Sequence, residues 1–164
     1  QYVSGDAGVA SSWRLLPGLV TPAPNFTGPG FQFIVASGTA TATTGFTLGA
    51  NCVMTVKNGA TLRLNGNSTN SGAIIVENGG TLEVSNGVTL TNSGQLIIDN
   101  GLAGGRLLLT GTGAVASTTP IYGDANVPNN ATLESGGAAA KTLAVSEIPS
   151  PMQGRLVLSN TAGT

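Results

Sequence analysis

Val56-Lys57-Asn58-Gly59-Ala60-Thr61-Leu62-Arg63-Leu64 returns as Val76-Glu77-Asn78-Gly79-Gly80-Thr81-Leu82-Glu83-Val84, an offset of 20 residues. Thr69-Asn70-Ser71-Gly72 returns unchanged as Thr91-Asn92-Ser93-Gly94, and Ala73-Ile74-Ile75-Val76-Glu77-Asn78 reappears as Gln95-Leu96-Ile97-Ile98-Asp99-Asn100, both 22 residues along. A period near 21 whose turns stay in phase marks a repeat architecture. Each period reads as three short strands, clearest in Ala73–Glu77, Thr81–Ser85 and Val88–Thr91. Asn78-Gly79-Gly80, Asn86-Gly87 and Asn92-Ser93-Gly94 fall between them, and Asn and Gly tolerate the positive φ of sharp corners. Three strands and three corners complete one coil, so the pattern predicts an all-β parallel β-helix (solenoid) with coils of roughly 20–22 residues.

An antiparallel meander competes with this reading, because Asn-Gly between alternating strands is also a hairpin signal. Charge placement separates the two. At an offset of 20, Lys57 falls over Glu77 and Arg63 over Glu83. In a stacked coil both become opposite-charge neighbours about 4.8 Å apart. The spacing favours stacking.

Outside this middle the chain changes character. Six of its seven aromatics, Tyr2, Trp13, Phe26, Phe31, Phe33 and Phe46, precede position 47, as do four of its eight prolines. No proline follows until Pro120. We therefore divide the chain into an aromatic cap with first irregular coils (1–46), a regular solenoid (47–113) and a looser C-terminal region (114–164). Phe31–Ala36, Ala40–Thr44 and Val53–Lys57 read as the first coils, and Leu102-Ala103-Gly104 as an insertion at a corner. Asn130-Ala131-Thr132-Leu133-Glu134 faintly echoes the repeat. A solenoid has two ends with unpaired strand edges, and terminal repeats are atypical for that reason. Tyr2, Trp13, Phe26, Phe31 and Phe33 are candidates for a cap over the first rung or, alternatively, for a platform on which sugar rings stack. The C-terminal end shows no comparable cap. Its Arg155-Leu156-Val157-Leu158 reads as a strand that could pair with a neighbouring molecule.

Composition limits the chemistry. Only 8% of the 164 residues are charged, against roughly 25% in ordinary soluble domains, and the net charge is −1. Little charged coat opposes self-association, so a homo-oligomer or filament is the expected partner state, with polysaccharide as the second candidate. The six Lys and Arg are scattered singly, which argues against nucleic acid. No apolar run reaches the roughly 18 residues of a membrane span. Cys52 is the single cysteine and reads as a small buried hydrophobe, with an intermolecular disulfide as the lesser reading. The chain starts at Gln1 and not Met, which reads as either a fragment or a chain that has lost an N-terminal leader, and the Thr/Asn/Gly-rich composition favours export.

The absence of His removes Ser-His-Asp and Cys-His catalysis and the commonest metal ligand. β-Helix enzymes that cleave polysaccharides need clustered carboxylates. Of the seven acids Glu77 and Asp99 share a phase, and with Asn78 and Asn100 they read as solvated strand ends rather than a weak cation or sugar site. The Gly-Gly-x-Gly-x-Asp calcium repeat and Gly-rich phosphate loops are absent. Asn25, Asn67 and Asn130 match the glycosylation sequon, as chance allows in so Asn/Thr-rich a chain. Thr39-Ala40-Thr41-Ala42-Thr43 has the Thr-x-Thr-x-Thr form of an ice-binding strand, but the run occurs once. No catalytic residue and no cofactor is expected.

Ser4-Gly5-Asp6-Ala7-Gly8 followed by Ser12-Trp13 resembles the "SGxW…W" opening of large secreted surface proteins of Bacteroidota, although the family's first Trp has no counterpart here. Coils such as Lys57-Asn58-Gly59-Ala60-Thr61-Leu62 look like those that follow it in that family. The stretch from Ile121-Tyr122-Gly123 to Leu156-Val157-Leu158-Ser159-Asn160 looks like its linker between solenoids. The resemblance implies an exported, adhesin-like surface protein, often delivered by the type IX route. Together these readings predict a non-enzymatic, extracellular structural protein: a rod-like subunit or segment of a fibre, sheath or adhesin stalk. The alternative is a polysaccharide-binding module that uses the N-terminal aromatics.

Overall fold

The computed structural model describes residues 1–2, 4–13, 26–28, 30–98, 104–123, 131–148 and 155–161. Among the described residues fifteen strands form three sheets, and every pairing between them is parallel. The first sheet is ordered β1 (Gln32–Val35), β4 (Val53–Val56), β7 (Ala73–Val76), β10 (Gln95–Ile98) and β13 (Ile121–Gly123). The second runs β2 (Gly38–Ala42), β5 (Ala60–Leu64), β8 (Thr81–Val84), β11 (Arg106–Thr110), β14 (Thr132–Gly137) and β15 (Arg155–Asn160). The third holds β3 (Thr47–Leu48), β6 (Ser68–Asn70), β9 (Thr89–Asn92) and β12 (Ala114–Ser117). Each strand pairs with the strand three places on in sequence through β14, so the chain winds as a β-solenoid of about five turns.

The register settles the competition between hairpin and stack. Val56 pairs with Val76, Thr61 with Thr81, and Arg63 with Glu83. The offset is 20 between these coils, 22 between Ala73 and Gln95, and 25 between Thr81 and Arg106. The last step absorbs extra residues at the corner where Leu102-Ala103-Gly104 falls, and the strands on either side keep their stacking. Leu102 and Ala103 themselves lie outside the described residues. Parallel stacking also continues beyond residue 113, through β12, β13, β14 and β15.

Alternation places one residue in two inside the coil. The second sheet sends Leu62 and Leu64, Leu82 and Val84, then Leu107 and Leu109 inward on successive rungs, all fully buried. The first sheet contributes Met54 and Val56, Ile74 and Val76, then Leu96 and Ile98 in the same way. Leu, Ile and Val repeated at one height fill the interior as columns. Corners follow from glycine at two kinds of position. Gly59 and Gly79 hold φ of 72° and 79°, where a side chain would be strained. Gly72 and Gly94 lie so close to backbone carbonyls of the preceding coil (Gly49 and Cys52, and Gly72) that a Cβ would collide with them.

Lys57 and Glu77 form the expected ion pair across adjacent rungs, and Arg63 Nε donates to Glu83 Oε2 at 2.9 Å. A third pair of the same kind, Arg106 with Glu134 at 2.6 Å, joins β11 to β14. These pairs stand on the outer surface and stabilise only slightly. They report register more than they set stability.

Candidate functional site

The features that set this molecule apart from a uniform coil lie at its ends. At the N-terminal end Trp13 is fully buried and its Nε1 donates to the Ala7 carbonyl at 3.0 Å. The ring packs edge-on against Tyr2, Phe26 and Phe33, with centroids 5.5, 6.0 and 5.3 Å away. Phe26 also contacts Phe46, and the partly buried Phe31 contacts Phe33. Edge-to-face contacts of this kind add to the area the rings bury. The second sheet begins with Ala40 and Ala42 where later coils carry Leu62 and Leu64. The end of the core is filled by aromatic rings instead.

The same segment satisfies the exposed strand edges. The Tyr2 amide donates to Ile34 O on β1, Ala7 to Thr41 O on β2, and Gly49, just after β3, donates to Phe26 O. Asp6 fixes the next corner: its carboxylate accepts from the amides of Gly8, Thr43 and Thr44 and from the Thr44 hydroxyl. Partial burial pushes the Asp6 carboxyl up, but these hydrogen bonds outweigh it and hold it below its ordinary range. All five aromatics of the sequence reading therefore come together at one end. Trp13 and Phe33 present no ring face to solvent, so a sugar could stack on them only if the cap opened.

The C-terminal end differs from the sequence reading, which finds no cap there. Residues 138–148 fold back over the last coil, with a 3-10 turn at Val145–Glu147 against β12. Leu143 and Ile148 pack on the core. Glu147 is buried, and its Oε1 accepts from the Val115 amide at 3.0 Å and from Lys141 Nζ at 2.9 Å. Its Oε2 accepts from the Ala144 amide at 2.8 Å. Amides of β12 at even positions donate to β9, as Ala114 does to Val88 O, so the Val115 amide faces the open edge. Glu147 thus supplies the acceptor that another strand would otherwise provide. Lys141 offsets its buried charge. Sequence reasoning treats Glu147 as one scattered acid and has no periodic signal to place it otherwise.

This plug covers the third sheet but not the second. There β15 extends one strand further, parallel to β14, with Leu156 opposite Leu133 and Leu158 opposite Ser135. Arg155–Asn160, read as an assembly strand, is first of all a strand of its own chain. Leu133 and Ser135 point into the core and are buried, yet Leu156 and Leu158 at the same phase are 48% and 56% exposed. Arg155 is exposed and Val157 half-buried on the outer face.

Inside the third sheet lies a polar feature that the repeat conceals. Asn70 and Asn92, read as corner residues, are the last residues of β6 and β9, fully buried and stacked. Asn70 Nδ2 donates to Asn92 Oδ1 at 2.7 Å and to Gln95 O at 2.8 Å; Asn92 Nδ2 donates to Ser117 Oγ at 2.8 Å. Each side chain passes a hydrogen bond to the next rung. Cys52 is buried, and its thiol donates to Gly28 O at 3.0 Å. The suggested pair of Glu77 and Asp99 cannot be placed together, because Asp99 and Asn100 lie outside the described residues; Glu77 is engaged by Lys57. Thr39, Thr61 and Thr81 do stack outward in register, as do Thr47, Thr69 and Thr91, but the columns end at Arg106 and Ala116. Among the described residues, no three His, Cys, Asp or Glu gather in a cluster that could hold a metal, and no helix is long and apolar enough to cross a membrane.

Fold and ends together define a parallel β-solenoid with an aromatic cap at one end and an ion-paired plug at the other. Comparison of the chain with protein-family models, with curated proteins and with solved structures finds no match.

Proposed function

We propose that this chain is a structural segment of an extracellular fibre, sheath or adhesin stalk, whose purpose is to be stiff. The observation that carries the reading is the unbroken parallel register of the second sheet from β2 to β15, six rungs at one spacing. At about 4.8 Å per rung the described coils extend about 24 Å, which suits a segment of a rod rather than a long rod by itself. Bending such a segment in any direction stretches the backbone hydrogen bonds that join successive rungs in at least one of its three sheets. A chain with only 8% charged residues has little like-charge repulsion to oppose close contact with its own kind. Export to the cell surface fits the same composition.

Immunogold labelling of the native material with an antibody to this chain tests the reading. Gold along fibres, sheath or surface projections is expected. Gold confined to the cytoplasm, or spread through it with no surface signal, would overturn it.

A further inference from the structure

We infer that two copies of this chain associate tail to tail, β15 against β15, and not head to tail. The inference rests on the structural-segment reading above and specifies how such segments join.

Among the described residues β15 is the outermost strand of the second sheet, and no strand pairs with its outer edge. The amides of Arg155 and Thr161 donate to Ala131 O and Gly137 O on the β14 side. Strand geometry sends alternate residues to opposite edges, so the amide and carbonyl groups of Leu156 and Leu158 face outward along the sheet. The side chains of these two residues project over the coil interior and are exposed. One strand therefore presents unpaired backbone groups and uncovered leucines together, a template for another strand.

The head of a second copy is a poor partner for it. Backbone hydrogen bonds from the cap already reach β1 and β2 and the end of β3, and Trp13 closes the core. Another β15 fits instead. Two copies related by a two-fold axis through Val157 would pair antiparallel, with Leu156 opposite the partner copy's Leu158. In that register the outward-facing backbone groups of Leu156 and Leu158 meet their counterparts, and all four leucines lie on one face. Arg155 falls opposite Ser159, so no like charges meet. Val145, 87% exposed, stands on the same end of the coil and adds apolar surface there. A two-fold contact closes on itself, so the product is a pair of coils and not an endless filament. The contact is small, and association therefore depends on concentration.

Sedimentation of the 164-residue chain over a wide concentration range is the test. The mass is expected to double and stop there. Leu158→Pro removes the edge amide while leaving the β14 side of the strand intact, since proline is tolerated on a strand edge whose N–H faces solvent. It is expected to abolish the dimer with an unchanged β-type circular dichroism spectrum. Independently of how that variant folds, Val157→Cys in a Cys52→Ala background is expected to form a disulfide with its own copy, because the two-fold places the 157 positions about 4.5 Å apart. A monomer at every concentration, growth beyond the dimer, or failure of the Val157→Cys chain to cross-link would each overturn the inference. All three leave the structural reading standing, since that reading depends on location at the cell surface.

Discussion

The two ends of this solenoid face the same problem, a set of unpaired strand edges over an open apolar core, and they solve it with different chemistry. The N-terminal end uses bulk: Trp13 and the rings of Tyr2, Phe26 and Phe33 packed around it fill the opening, and backbone hydrogen bonds from the cap meet the strands. The C-terminal end uses one carboxylate, Glu147, held by Lys141 and delivered to the edge of β12. The aromatic solution buries Trp13 and Phe33 over the first rung and puts hydrogen bonds on the strand edges there. The ionic solution satisfies one sheet and leaves β15 standing past it with Leu156 and Leu158 uncovered. The contrast shows that closing a core and blocking a strand edge are separate tasks, and among the described residues the first end combines both while the other divides them.

Trp13→Ala is the harshest way to break the comparison. Removing a fully buried indole costs about 4 kcal/mol, seen as a lower urea midpoint, and exposes the first rung. Next comes Glu147→Ala, which strands the buried Lys141 ammonium and leaves the Val115 amide without its acceptor. The expected loss is about 3 kcal/mol, with hydrogen-exchange protection falling at Val115 and not at Trp13. A loss of protection at both ends would show that the ends are coupled, which the account does not predict.

The coils between the ends provide a milder comparison. Asn70→Leu leaves the buried Asn92 Oδ1 without its donor and is expected to cost about 2 kcal/mol. Leu48 already occupies the equivalent place one rung earlier, and the double change Asn70→Leu, Asn92→Leu is expected to recover part of the loss. Equal costs for single and double variants would mean that the two amides do not act together. The smallest effect concerns Asp6. Its carboxyl is held below the ordinary range in the folded state, so its contribution is present above the unfolded value near 3.8 and is lost as pH falls through the folded value. The difference in Tm between the wild-type chain and Asp6→Asn, worth about 1 kcal/mol at neutral pH for a partly exposed group, is expected to shrink on acidification. A difference that grows at low pH would contradict the assignment.

The sequence makes the coil legible because corners must recur in phase. Asn58-Gly59 and Asn78-Gly79 mark the winding, and the Lys57–Glu77 and Arg63–Glu83 pairs mark its register. The aromatic end is legible for a related reason, since so many rings gathered before position 47 need a place to be buried. Asn70 and Asn92 mislead because Thr-Asn-Ser-Gly looks like a turn. Only the stacking shows that the Asn side chains turn inward, where each finds the other. The plug is illegible for a deeper reason. Lys141 and Glu147 stand in an aperiodic stretch, and their partner Val115 lies 32 residues from Glu147, so no spacing announces the contact.

The direct test of the whole account is the pattern of short-range NOEs among backbone protons of the 164-residue chain. It predicts contacts linking Leu62 to Leu82 and on to Leu107, and Met54 to Ile74 and on to Leu96, with the strands running the same way. Contacts that instead join Val53–Val56 to Ala60–Leu64 across Lys57-Asn58-Gly59, in the antiparallel order of a hairpin, would contradict it.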